Sequence, residues 1–96
     1  MSDKEYEFCL KLHNRLKDYI KPSVFVTIQE NGKLNIIMYD KIYGIRYEWC
    51  LNKFGERLKN SDDSTINTDV ISRSVVKDYR KFLLNKFLKN ENERGN

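Results

Sequence analysis

Cys9 and His13 stand four residues apart, a spacing that sets two side chains on one helical face, close enough to chelate one metal ion. A structural zinc needs four protein ligands, and a catalytic zinc needs three plus a water. The other thiol in the sequence is Cys50, and strand alternation turns it to the face away from the helix that carries Cys9. Two ligands make no site, so Cys9 reads as a small core residue and His13 as its neighbour on the helix flank; no metal or cofactor is expected. His13 is the sole histidine, and no serine or cysteine with an acid stands where spacing would join it to form a nucleophilic site. The four glycines are isolated, so no phosphate-cradling loop is written in the chain. No catalytic residue is assigned, and an enzyme is not expected.

Binding chemistry is better represented. Residues 69–89 carry six basic side chains against two acidic ones, which accounts for most of the net charge of +4. Arg73, Lys77, Arg80 and Lys81 fall along one side of the helix expected there, a ridge about two turns long that suits salt-sensitive contact with nucleic-acid phosphates. A solvated helix face has the same composition. A second candidate is less polar. Phe25, Ile37, Tyr39 and Ile42, with Arg46 near them, combine aromatic rings, aliphatic carbon and a guanidinium, the composition of a protein interface.

These residues need elements to position them. Ser2 and Glu5 have capping-box spacing, and Phe8, Cys9, Leu12, Leu16, Tyr19 and Ile20 repeat at helical intervals until Pro22, so a helix is expected over residues 3–20. Three alternating runs follow, with Val24, Val26 and Ile28, then Leu34, Ile36 and Met38, then Tyr43, Ile45, Tyr47 and Trp49 on the core face. A three-residue loop, Glu30-Asn31-Gly32 with Gly32 left-handed, pairs Ile28 with Leu34 and keeps the apolar residues together. Asp40-Lys41 reads as a two-residue turn, which sets Ile36 beside Ile45 and Leu34 beside Tyr47. Glu48 is expected to pair with Lys33 across the strands. In the polar connection 52–67, Phe54 and Leu58 anchor a helical turn, while Ser61-Asp62-Asp63-Ser64 reads as exposed loop. Thr68 then caps a last helix with Ile71, Val75, Val76, Tyr79, Phe82, Leu83 and Phe87 on its core stripe, ending near residue 89. Val70, Leu84 and Leu88 interleave its basic side, so its last two turns are apolar nearly all round. Either segment 52–67 or another chain is expected to cover them.

The expected fold is α+β, α-β-β-β-α: a three-stranded antiparallel meander with both helices on one face, as a single domain over residues 1–89 with a frayed tail at 90–96. This order is similar to that of double-stranded-RNA-binding domains in topology alone. Asp62-Asp63-Ser64-Thr65-Ile66-Asn67 stands where that family has glycine and lysine, so none of its residues carries over. A helix, meander and helix also resemble the core of restriction-type nucleases. Asp40 and Glu48 would supply the acids, but Cys50 occupies the required lysine position, so that activity is excluded.

Ninety-six residues with 40% hydrophobic and 33% charged side chains suit one small globule rather than a disordered chain. No apolar run reaches bilayer length, the first residues lack a signal peptide's pattern, and two cysteines are too few for a disulfide scaffold. The expected setting is the cytoplasm, without membrane association. The expected function is a non-enzymatic protein-interaction module, an adaptor or inhibitor; the bias toward Lys, Asn, Ile and Tyr suits AT-rich coding DNA, as in a low-GC bacterium or its phages, and with the small size and the lack of a catalytic site it suits a phage or mobile element. The partner is expected to be a protein, with a homodimer also open. The alternative is a nucleic-acid-binding domain using the last helix.

Overall fold

The computed structural model of the protein describes residues 2–60 and 67–95. Helix α1 spans Asp3–Tyr19, strands β1, β2 and β3 span Ser23–Ile28, Leu34–Asp40 and Ile45–Leu51, and helices α2 and α3 span Phe54–Asn60 and Thr68–Gly95. The expected α+β order is therefore observed, with α2 as an added short helix around Phe54 and Leu58. The sheet is an antiparallel meander in the order β1-β2-β3.

Local chemistry accounts for the helix ends. The Ser2 hydroxyl accepts from the Glu5 amide at 3.3 Å and donates to the Glu5 carboxylate at 3.0 Å, closing the capping box. Pro22 stops α1 before residue 20, and the Ile20 amide makes the last backbone bond, to the Leu16 carbonyl. α3 departs from expectation at both ends. The cap is Asn67, whose Oδ1 accepts from the Asp69 amide at 2.9 Å, rather than Thr68. The helix continues past residue 89 to Gly95, because nothing in that run breaks a helix until the glycine.

The first turn has the expected register: Ile28 faces Leu34 and Val26 faces Ile36, with Gly32 at φ +84°. The second turn differs. Asp40 pairs with Ile45, Ile36 with Trp49 and Leu34 with Leu51, so a four-residue loop replaces the expected two-residue turn. Asp40 Oδ1 accepts from the amides of Ile42 and Tyr43 at 2.9 and 3.3 Å, and Gly44 closes the loop at φ +63°. Tyr43 thereby leaves the strand and is exposed. The shift is an even number of residues, so the residues that stay in the strands keep their faces, while Ile42 joins Tyr43 in the loop.

The core lies between the sheet and the helices. Leu34, Ile36 and Met38 on the central strand and Leu12, Leu16 and Val75 on the helices are fully buried. α1 packs on β1 and on α3. α3 reaches β3 through Tyr79 and Phe82, whose rings lie 5.7 and 4.9 Å from Tyr47, and through Asp78, which accepts from the Trp49 indole N–H at 3.0 Å. α2 closes the end near the first turn. Phe54 stacks on Phe8 at 4.7 Å, and the Gly55 amide donates to the Gly32 carbonyl at 2.8 Å. The backbones of these two glycines are in direct contact; a Cβ on Gly55 would sit 3.0 Å from Gly32 Cα.

Candidate functional site

Strand alternation sends Ser23, Phe25, Thr27, Asn35, Ile37, Tyr39, Arg46, Glu48 and Cys50 to the face opposite the helices. The register arranges them in rows. Tyr39 lies between Ser23 and Arg46, Ile37 between Phe25 and Glu48, and Asn35 between Thr27 and Cys50. Phe25, Ile37 and Tyr39 are thus direct or diagonal neighbours, within reach of one another on one pleated surface. No helix of the described residues covers them: Phe25 is 58% exposed and Tyr39 39%.

Ile42 is not on the sheet. It sits in the loop between β2 and β3, 87% exposed, and joins Tyr39 across a depression of about 200 Å³ that Lys21, Pro22, Ser23, Asp40 and Lys41 also line. Arg46 is on the sheet beside Tyr39, and its guanidinium bonds the Glu48 carboxylate at 3.2 Å. Glu48 therefore pairs along its own strand instead of with Lys33. Both groups are substantially exposed, so the pair adds little stability. At the far end of the face, the Cys50 thiol has Asn35 Oδ1 at 3.2 Å and Glu48 Oε1 at 3.4 Å as acceptors for its one proton. Burial, the bond to Glu48 and the Glu48 charge outweigh Lys33, so its pKa is raised and it stays a thiol at neutral pH.

The basic ridge is also in place, with one member already engaged. Arg73, Lys77, Arg80 and Lys81 are all exposed on α3, and Arg73 is paired with Asp69 at 2.9 Å. Asp69 also accepts from the Tyr19 hydroxyl at 2.9 Å, and Asp78 from Trp49. Both acids of this part of the helix are thus turned toward their own chain. Val70, Leu84 and Leu88 are exposed between the cations. Phe87, expected in the core, is 45% exposed and meets the ring of Tyr43 edge-on at 6.3 Å. α2 contacts the other end of the core, near Phe8 and Gly32, and does not cover this end of α3.

Cys9 and His13 line a common cavity of about 210 Å³ with Tyr6, Leu10 and Val26, an apolar setting with no third ligand. Cys9 is buried, and burial, helped by the Glu5 charge, pushes its thiol up to about 11, which disfavours the thiolate a metal requires. Among the described residues no three His, Cys, Asp or Glu side chains are placed to hold a metal ion, and no helix is long and apolar enough to cross a membrane. The Ser61-Asp62-Asp63-Ser64 loop lies outside the described residues.

Sequence reasoning missed Tyr6 and Leu10, which stand exposed beside His13 on the flank of α1. Their helical spacing with His13 was the available signal. Comparison with protein-family models, with curated proteins and with solved structures found no match to the chain.

Proposed function

We propose that the protein is a non-enzymatic interaction module, an adaptor or inhibitor, that binds a partner protein through the outer face of its sheet. The observation that carries this reading is the cluster of Phe25, Ile37 and Tyr39 on a face that no helix of the described residues covers, flanked by Arg46 and by Ile42 on the adjoining loop. A contiguous apolar patch in water costs solubility, and its rings supply the rigid contact area from which interface hot spots are built. A phage or mobile-element origin fits the coding bias of the sequence. Capture of partners from a cell extract, with and without nuclease treatment, tests the reading. A protein retained after nuclease supports it, and loss of all captured material on nuclease treatment contradicts it.

One observation favours a second reading, nucleic-acid binding by α3. Asp69 and Asp78 are held against Arg73, Tyr19 and Trp49, which leaves Lys77, Arg80 and Lys81 without an acidic neighbour in contact among the described residues. Phosphate contact through so few cations is weak and falls steeply with salt.

A further inference from the structure

The two edges of the sheet are defended differently. The Gln29 amide bonds the Lys33 carbonyl at 2.9 Å, which makes this a hydrogen-bonded pair and fixes the alternation along β1. Ser23, Phe25 and Thr27 turn their backbone groups to β2, while Val24, Val26 and Ile28 turn theirs out from the open edge. By the same alternation β3 presents Arg46, Glu48 and Cys50 on its outer edge, and two of these are charged. Charge is a common guard against edge pairing. β1 reads Ser-Val-Phe-Val-Thr-Ile, with no charge, proline or glycine.

Beside that edge lies an apolar groove. Val26 is partly exposed, although its cross-strand neighbour Ile36 is fully buried and Val24 and Ile28 on either side are buried too, so α1, which packs on β1, leaves the middle of this edge uncovered among the described residues. Val26 is the floor of the 210 Å³ cavity whose wall is Tyr6, Cys9, Leu10 and His13. Tyr6 is 62% exposed and Leu10 49%. An open strand edge and an unfilled apolar flank therefore occur side by side.

We propose that a second copy of this chain occupies the edge, forming a two-fold dimer with a continuous six-stranded sheet. An axis through Val26 pairs Val26 with Val26 of the partner subunit and Val24 with the partner's Ile28, using every outward-facing residue of β1. A slip of one register step one way would set Ile28 against the partner's Pro22, which has no N–H to give, and the other way would set Val24 against the partner's Glu30, beyond the end of its strand. Antiparallel edge pairing keeps both copies' helices on the same side of the sheet, so α1 meets the partner's α1 in the reverse direction. The helices need an axial separation of roughly 8–10 Å, more than the ~4.8 Å between strands, so the dimer requires each α1 to stand back from the axis with Tyr6 and Leu10 filling the space between.

Charge selects the second copy as the occupant. Asp3, Tyr6, Leu10, His13 and Lys17 form one stripe of α1 at alternating three- and four-residue spacing. Reversed on itself about Leu10, that stripe sets Asp3 against Lys17 of the partner subunit at both ends. The dimer would also bring the two outer patches together, with Phe25 opposite the partner's Thr27.

Sedimentation equilibrium of the whole chain from about 1 μM to about 1 mM tests the proposal. A monomer–dimer equilibrium is expected. Leu10→Glu places two carboxylates at the axis and should weaken the dimer roughly 100-fold. Asp3→Lys should weaken it ~10-fold, and adding Lys17→Asp should restore it, which keeps the test valid even if Leu10→Glu fails to fold. Tyr39→Ala, on the far side of the sheet, should leave the dimer unchanged, which separates this surface from the partner-binding face. A monomer throughout would overturn the proposal. So would a dimer indifferent to Leu10→Glu in a folded protein, or a charge reversal without rescue.

Discussion

Replacing Gly55 with Ala tests how α2 is docked, and its cost can be worked from distances. The new Cβ would lie 3.0 Å from Gly32 Cα and 3.5 Å from the Gly32 carbonyl oxygen, where ordinary contact begins near 3.4 Å. Neither neighbour is a flexible side chain. Both belong to the turn between β1 and β2, and the Gly55 amide is tied to that turn by a 2.8 Å hydrogen bond. Relief therefore requires α2 and the turn to separate by several tenths of an ångström, loosening that bond and the Phe54–Phe8 contact behind it. Overpacking of this kind costs about 1–3 kcal/mol. In a domain of this size that lowers Tm by roughly 5–15 °C. Gly44→Ala is the control, because nothing lies within 4 Å of its Cβ and only the positive φ of +63° is strained, at about 1 kcal/mol. Thermal melts by circular dichroism would measure both. A Gly55→Ala protein as stable as the parent would mean that α2 does not rest on the turn.

Two further outcomes follow from the same chain of reasoning. The Cys9 thiol is raised from 9.0 to about 11 when folded, so its neutral form is favoured by folding; that stability is full below pH 9 and is lost as the pH rises toward 11, on the order of 2–3 kcal/mol. Tyr47 and Tyr79 are also raised, chiefly by burial, and act in the same direction; a Cys9→Ala protein with an unchanged alkaline unfolding curve would remove Cys9 from this account. Replacing Arg73, Lys77, Arg80 and Lys81 with Gln should abolish most nucleic-acid binding while leaving the melting curve near the parent's; binding that survives those changes, or survives high salt in a mobility-shift assay, would place the site elsewhere.

The parts of this fold that were legible in sequence are those set by local rules. Ser2 and Glu5 cap α1 through neighbouring backbone, and the buried stripe Phe8, Cys9, Leu12 and Leu16 follows from helical period alone. The first turn was legible because one loop length keeps the apolar residues of β1 and β2 on one face. The second was misjudged because a four-residue shift leaves facing unchanged, so the hydrophobic pattern fits both registers equally; the Asp40 side chain and Gly44 decide between them. The outer face followed from alternation, which placed Phe25, Ile37, Tyr39 and Arg46 on the sheet, while Ile42 went to the loop with the register change. The Gly32–Gly55 contact left no side-chain pattern to read, since it joins two backbones far apart in sequence. The groove beside β1 depends on where α1 lies relative to Val26, a quantity set by the packing of the whole core.

If the outer face of the sheet binds a protein partner, alanine substitution at Phe25 and Tyr39 should weaken that binding. Both rings are more than a third exposed, so truncation should cost only about 1 kcal/mol of stability. With a captured partner in hand, the affinity of each variant can be compared with the parent's by calorimetry. A loss of about 2 kcal/mol or more, some 30-fold in Kd, from at least one of the two folded variants is the expected result. Unchanged affinity in both, or unfolding of either, would contradict the claim, since the rings would then be idle surface or part of the core.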